Sequence, residues 1–328
     1  MQMRKISVIT LPFNKILSKM IKLILCSFAL IASLISSSTW AEADQNHLLR
    51  VAQSKTDNTE KLVSAEILKD HLNPNKLFLR SSSALIYDKS DDFILYDKEA
   101  NKTMPIASLT KVMTAMVILD AKLDLNEKIR IKRKDRDRLR GSKSRLSYGT
   151  ILTRGDMLKI ALAASENRAA KALARTYPGG HDAFIAAMNK KATSLGMLQT
   201  KFRDSTGLHS KNVSTARDLV KLVSAASKYS LIQELSTLGK SYVTDQRAGW
   251  KVEFFNTNRL VRRKNWDISL SKTGYIADAG HCLIMETTIG NRPMIIVLLN
   301  SWGKLSKFGD SNRIKRWVQK AETRVASI

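Results

Sequence analysis

The chain carries strand-like runs at both ends and helical periodicity between them, an order that few architectures accommodate. Ala84-Leu-Ile-Tyr-Asp88 and Phe93-Ile-Leu-Tyr-Asp97, separated by Lys89-Ser-Asp-Asp92, read as a hairpin. From Thr153 to Thr237 apolar residues recur at helical spacing, with breaks at Tyr177-Pro-Gly-Gly180 and Gly207. Strand-like segments return at Ile268–Tyr275, Cys282–Ile289 and Met294–Asn300, and a basic amphipathic helix from about Asn312 to Thr323 closes the chain. The pattern predicts an α+β fold: one antiparallel sheet flanked by helices, with the last helix on one face and a helical lobe on the other. With 328 residues, 44% of them hydrophobic, the chain can bury a substantial core.

Three short elements occupy positions from which they can meet at the seam between sheet and lobe. The first is Ser108-Leu-Thr-Lys111. Ile106, Leu109, Val112, Met113, Met116 and Leu119 recur every three or four residues, which predicts a helix from about Pro105 to Asp120 with Ser108 in its first turn. Lys111 then lies on the same helical face as Ser108. The same S-x-x-K spacing at Ser269/Lys272 falls in a strand, where residues three apart point to opposite faces. At Ser301/Lys304 it is interrupted by Gly303.

The second element is Ser165-Glu-Asn167, in the helical lobe, and the third is Lys272-Thr-Gly274, on a strand. A serine one helical turn from a lysine, faced by a second hydroxyl, an amide and a second lysine, suits acyl transfer through a covalent serine ester. Each residue taken singly has a plainer role: Ser108 or Asn167 as a helix cap, Lys272 as a surface lysine on an edge strand. The five histidines show no metal-ligand spacing and read as surface or structural, and no cofactor or metal is implied.

Arg4, Lys5, Lys15, Lys19 and Lys22 precede the apolar stretch Leu23–Ile35 and then Ser36-Ser-Ser-Thr-Trp-Ala-Glu-Ala43. This reads as a secretory signal peptide over 1–43, because the apolar stretch is shorter than the roughly 20 residues needed to span a bilayer. A polar spacer over 44–82 and a single folded domain over 83–328 are expected to follow. Beyond the leader only Cys282 remains, in an apolar run that suits a buried structural thiol.

The net charge of +26, or +22 without the first 43 residues, favours anionic partners. The densest basic segment, Lys128–Arg145, reads either as a solvated insertion or as a docking surface for a carboxylate-rich wall. Nucleic acid is disfavoured, since no aromatic residue interleaves with those bases.

Pro105-Ile-Ala-Ser-Leu-Thr-Lys-Val-Met-Thr-Ala-Met116, Ser165-Glu-Asn-Arg-Ala-Ala170, Ser205-Thr-Gly-Leu208, Val213-Ser-Thr-Ala-Arg-Asp-Leu219 and Lys272-Thr-Gly-Tyr275 with Gly280-His-Cys-Leu283 resemble the low-molecular-mass penicillin-binding proteins, the serine D-alanyl-D-alanine peptidases. The likeness covers about Ser83 to Lys320. Within that family it is most similar to the penicillin-binding protein 7 type, a D-alanyl-D-alanine endopeptidase, with the carboxypeptidase branch as the alternative. The resemblance implies a β-lactamase/transpeptidase-like fold and a periplasmic enzyme acting on peptidoglycan stem peptides. It also implies covalent inhibition by β-lactams, and the basic surface suits a peripheral wall or membrane contact.

By the same resemblance Ser108 would be the nucleophile, Lys111 its proton acceptor and Ser165 the proton carrier to the leaving amine. Asn167 would hold Lys111 or the substrate amide. Lys272, Thr273, Gly274 and Tyr275 would bind substrate, with the Ser108 and Tyr275 N–H groups holding the oxyanion. A serine β-lactamase shares the three elements, but no E-x-x-L-N segment lies between Asn167 and Lys272 to activate a deacylating water. A non-catalytic wall-binding scaffold is the remaining alternative.

Overall fold

The computed structural model describes residues 64–327; the expected signal peptide and the first part of the expected spacer lie outside them. Helix α1 (Ala65–His71) opens this body, its N-terminus capped by the Ser64 side chain, which accepts from the Ile67 N–H. Strands β1 (Ser81–Asp88) and β2 (Phe93–Lys98) form the expected hairpin. A short strand β3 (Met104–Pro105) and a 3-10 turn (Ala107–Leu109) lead into helix α2 (Thr110–Asp120). Strands β4 (Lys128–Arg130) and β5 (Ile151–Thr153) pair with each other.

The lobe is built from α3 (Arg154–Ala163), α4 (Asn167–Arg175), α5 (Gly180–Ser194), the short strand β6 (Val213–Ser214), α6 (Ala216–Ala226) and α7 (Ser230–Thr237). Thr153 and Thr215 cap α3 and α6 by accepting from the N–H groups of Asp156 and Asp218. These threonines start their helices where the sequence periodicity does. A hairpin that the sequence reading did not anticipate, β7 (Lys240–Thr244) with β8 (Lys251–Phe255), follows. Strands β9 (Asp267–Ile276), β10 (Gly280–Ile289) and β11 (Arg292–Ser301) and helix α8 (Ser306–Val325) complete the body.

The five central strands run antiparallel in the order β2-β1-β11-β10-β9, so β9 forms an edge. Strand β11 is apolar without interruption from Met294 to Leu299 because both of its faces are covered. Ile295, Val297 and Leu299 point into the lobe core, with Leu85, Ile284 and Leu270, while α2 is buried on nearly every side. Met294, Ile296 and Leu298 point the other way, onto Ile314, Trp317, Val318 and Ala321 of α8.

One boundary differs from expectation. Residues 65–79 are not spacer: Ala65, Leu68, Leu72, Leu77 and Leu79 are buried in the core beneath α8. The polar composition of this stretch concealed a helix of about two turns that needs only one apolar stripe. Among the described residues no helix is long and apolar enough to cross a membrane.

Candidate active site

The serine turn is set by its backbone. Ala107 adopts φ of 47°, and the Thr110 hydroxyl donates to the Ala107 carbonyl at 2.8 Å, closing the 3-10 turn that carries Ser108 into α2. One turn on, Lys111 is completely buried, and its Nζ has three partners: Ser108 Oγ at 2.9 Å, Asn167 Oδ1 at 2.8 Å and the Thr206 carbonyl at 2.7 Å. Burial pushes the Lys111 pKa down to about 7, against the opposing pull of the Asp204, Glu166 and Asp137 carboxylates. Desolvation is therefore the leading cause.

The lobe supplies the second wall. Ser165 sits at φ of 61° in the link between α3 and α4. The Glu166 side chain caps α4 by accepting from the Arg168 N–H, which places Asn167 at the first helical position with its amide facing Lys111. The sheet supplies the third wall. Lys272 on β9 is buried and donates to the Thr273 carbonyl at 2.9 Å. Burial and the nearby Lys111 hold its pKa well below the usual lysine value. The Thr273 and Thr257 hydroxyls are 2.7 Å apart.

Gly274 is where β9 passes the serine turn: a Cβ there would lie 3.0 Å from both the Ile106 carbonyl oxygen and the Ser108 nitrogen. Gly207 has an even stricter requirement. With φ of 82°, its Cβ would fall 1.8 Å from the Ala107 carbonyl oxygen.

The residues bring together a cleft of about 780 Å³, lined by Ser108, Ser165, Asn167, Thr273, Gly274 and Tyr275 among others. Lys111 and Lys272 lie beneath its floor. The structure thus assembles every residue that the sequence singled out. Several contributors were not foreseen. Thr206 acts through its backbone carbonyl, fixed by Asp204, whose carboxylate accepts from the N–H groups of Thr206, Gly207 and His209 at 2.6 to 2.7 Å. An Asp followed three residues on by Gly, with hydroxyls between, is a turn signal that could have marked this loop.

His281, expected at the surface or in a structural role, instead lines the cleft and stacks on Tyr275 with ring centroids 4.3 Å apart. Lys304 and Lys307 line the same end. Cys282 is buried as expected, and desolvation raises its thiol pKa to about 11. Among the described residues no group of His, Cys, Asp and Glu side chains is arranged to hold a metal ion.

A buried lysine poised on a serine, with an amide and a second buried lysine around it, is the arrangement of a serine acyl-transfer enzyme. The chain belongs to the peptidase S11 family, the D-alanyl-D-alanine carboxypeptidases, whose pattern matches residues 71–303. It is 46% identical to a D-alanyl-D-alanine endopeptidase of Escherichia coli over 241 residues, 74% of this chain and 78% of the relative. It is 45% identical to a D-alanyl-D-alanine endopeptidase of Pseudomonas aeruginosa with the same coverage. In structure it is similar to penicillin-binding protein D2 of Listeria monocytogenes in its ampicillin-bound form. That match has a TM-score of 0.64 and 27% identity, covering 74% of this chain and 98% of that one.

Proposed function

We propose that this chain hydrolyses D-alanyl peptide bonds of peptidoglycan, cross-links foremost, through an ester on Ser108, and that β-lactams inhibit it by acylating the same oxygen. The observation that carries this reading is the set of partners around Lys111. A neutral amine has two N–H donors and one lone pair. Asn167 Oδ1 and the Thr206 carbonyl can only accept, so they take the two N–H groups and leave the lone pair for the Ser108 hydroxyl.

In this mechanism the Ser108 oxygen attacks the carbonyl of the penultimate D-alanine while its proton passes to Lys111 Nζ. The C–N bond then breaks, and the Ser165 hydroxyl relays that proton to the leaving amine. Water repeats the sequence on the ester, releasing the acid and restoring Ser108. The N–H groups of Ser108 and Tyr275 hold the oxyanion, a contribution of roughly 3 kcal/mol per donor in serine enzymes generally. Lys272 contributes positive potential beneath the cleft, and Thr273 with Gly274 and Tyr275 lines the strand edge that receives the substrate backbone. Preference for cross-links over terminal D-alanine is supported by the two relatives that carry the endopeptidase name. Residues 1–43 would direct export to the periplasm, where this substrate lies.

The test is incubation of the purified protein with cross-linked muropeptide dimers and with monomeric pentapeptides, followed by mass spectrometry. Dimer cleavage that is blocked by ampicillin and lost in Ser108→Ala is the expected result. Release of terminal D-alanine alone would move the enzyme to the carboxypeptidase branch, and full activity in Ser108→Ala would remove Ser108 from the mechanism.

A further inference from the structure

The basic segment Lys128–Arg145 does not lie free on the surface. Its centre is tied down by Asp137, which is 3% exposed. One Asp137 carboxylate oxygen accepts from the N–H groups of Leu139 at 2.8 Å and Arg140 at 3.0 Å, and the other accepts from Ser142 N–H at 2.9 Å. The loop so formed reaches across the cleft: Arg140 Nε donates to the Leu208 carbonyl at 2.9 Å, and its guanidinium pairs with Asp278. The innermost contact is the one that bears on the chemistry. Asn167 Nδ2 donates to Ser142 Oγ at 2.9 Å, while Oδ1 of the same amide receives Lys111 at 2.8 Å.

The two ends of an asparagine amide are nearly the same shape, so packing alone distinguishes them poorly, and hydrogen bonding must choose. The choice matters here. If the amide turned over, its NH2 group would face Lys111 Nζ and could donate only to the amine's lone pair. That lone pair is the one that must receive the Ser108 proton, so a turned amide would occupy the base.

The Ser142 hydroxyl can decide the orientation if its own proton is committed elsewhere. Asp137, which already holds the Ser142 N–H at 2.9 Å, is the carboxylate placed to take that proton. Burial raises the Asp137 pKa, but the Ser142 hydroxyl and the N–H groups of Arg140, Ser142 and Leu139 outweigh it and leave the carboxyl below its ordinary value. An ionised carboxylate only accepts. With its proton turned toward Asp137, Ser142 presents only lone pairs to Asn167 and selects the NH2 end.

We propose that Ser142, oriented by Asp137, is a positioning residue that fixes the Asn167 amide with Oδ1 on Lys111 and so keeps the lysine lone pair free for Ser108. The proposal rests on Lys111 acting as the base for Ser108. It gives the basic segment a part in the reaction: its interior carboxylate sets the direction of a hydrogen-bond chain that runs Lys111 to Asn167 to Ser142 to Asp137.

The experiment measures Ser108 acylation by ampicillin across pH 5 to 9 in the full chain and in Ser142→Ala and Ser142→Thr, with thermal melting as a check on folding. Ser142→Ala is expected to lower the plateau acylation rate roughly tenfold. It should also move the pH midpoint downward, because a turned amide no longer offers an acceptor to the lysine ammonium. Ser142→Thr keeps the hydroxyl and is expected to restore both rate and midpoint.

Wild-type rate and midpoint in Ser142→Ala would overturn the proposal, as would equal losses in both variants with unchanged midpoint. If Ser142→Ala melts early, the Ser142→Thr profile decides: a shifted midpoint there overturns the assignment, and a wild-type one upholds it. Absence of Ser108 acylation in the unmodified chain would instead overturn the peptidase reading itself, and this proposal with it.

Discussion

The depressed pKa of Lys111 makes a quantitative prediction about rate. A lysine in water with the ordinary value of 10.5 is neutral in roughly one molecule in 3,000 at pH 7. Lys111, pushed down to about 7 by burial, is neutral in about half. The acylation rate should therefore reach half its plateau near pH 7, fall about tenfold per pH unit below pH 6, and stay level above pH 8. Ampicillin is a suitable acylating reagent, with the ester followed by mass spectrometry after acid quenching at a series of times.

A rate still climbing tenfold per unit through pH 9 would mean that Lys111 titrates like an exposed lysine. A flat profile between pH 5 and 7 would mean that it is not the proton acceptor. The same shift has a sign in stability. Between pH 7 and 10.5 the unfolded chain binds a proton that the folded chain sheds, so this group makes stability rise with pH across that window. Below about pH 7 its contribution is constant and unfavourable.

Two further perturbations test parts of the fold that carry the site. Gly207→Ala forces a Cβ into the Ala107 carbonyl at a backbone angle unfavourable for alanine. It is expected to destabilise the protein by at least about 2 kcal/mol and to slow acylation at Ser108 by two orders of magnitude or more; acylation at the wild-type rate would show that the turn is not held as described. Leu68→Ala should cost about 2 to 4 kcal/mol in urea unfolding while leaving acylation of the folded protein unchanged, whereas a loss under about 0.5 kcal/mol would return α1 to the role of a spacer.

The parts of the site legible in the sequence were those encoded by local spacing. Ser108 and Lys111 stand one helical turn apart, and Lys272 alternates along a strand, so periodicity alone assigned their faces. The contributions that were missed have local signals that mark a turn or a charge run but not a role in the site. Thr206 acts through its carbonyl, which any residue possesses. Asp137 is one of two acids in a basic run, and counting charge averages it away, although its burial ties down the centre of the run.

The fold divides in the same manner. The strand pattern predicted an antiparallel sheet, but the placement of β1 beside β11 joins residues about 200 positions apart and leaves no trace in either segment. Helix α1 escaped because seven residues with a narrow apolar stripe are below the length at which periodicity separates from chance.

The seam that forms the cleft draws its walls from segments far apart in the chain: the turn at 107–111, the link at 165–167, the loop at 204–207 and the edge strand at 272–275. No helix or hairpin by itself contains enough of them to activate a serine. Under the proposed mechanism, a covalent label on Ser108 would therefore count finished molecules rather than polypeptides. Labelled fraction against total protein would read out folding yield in a lysate, and the time course of label acceptance during refolding would mark the moment when lobe and sheet close on each other.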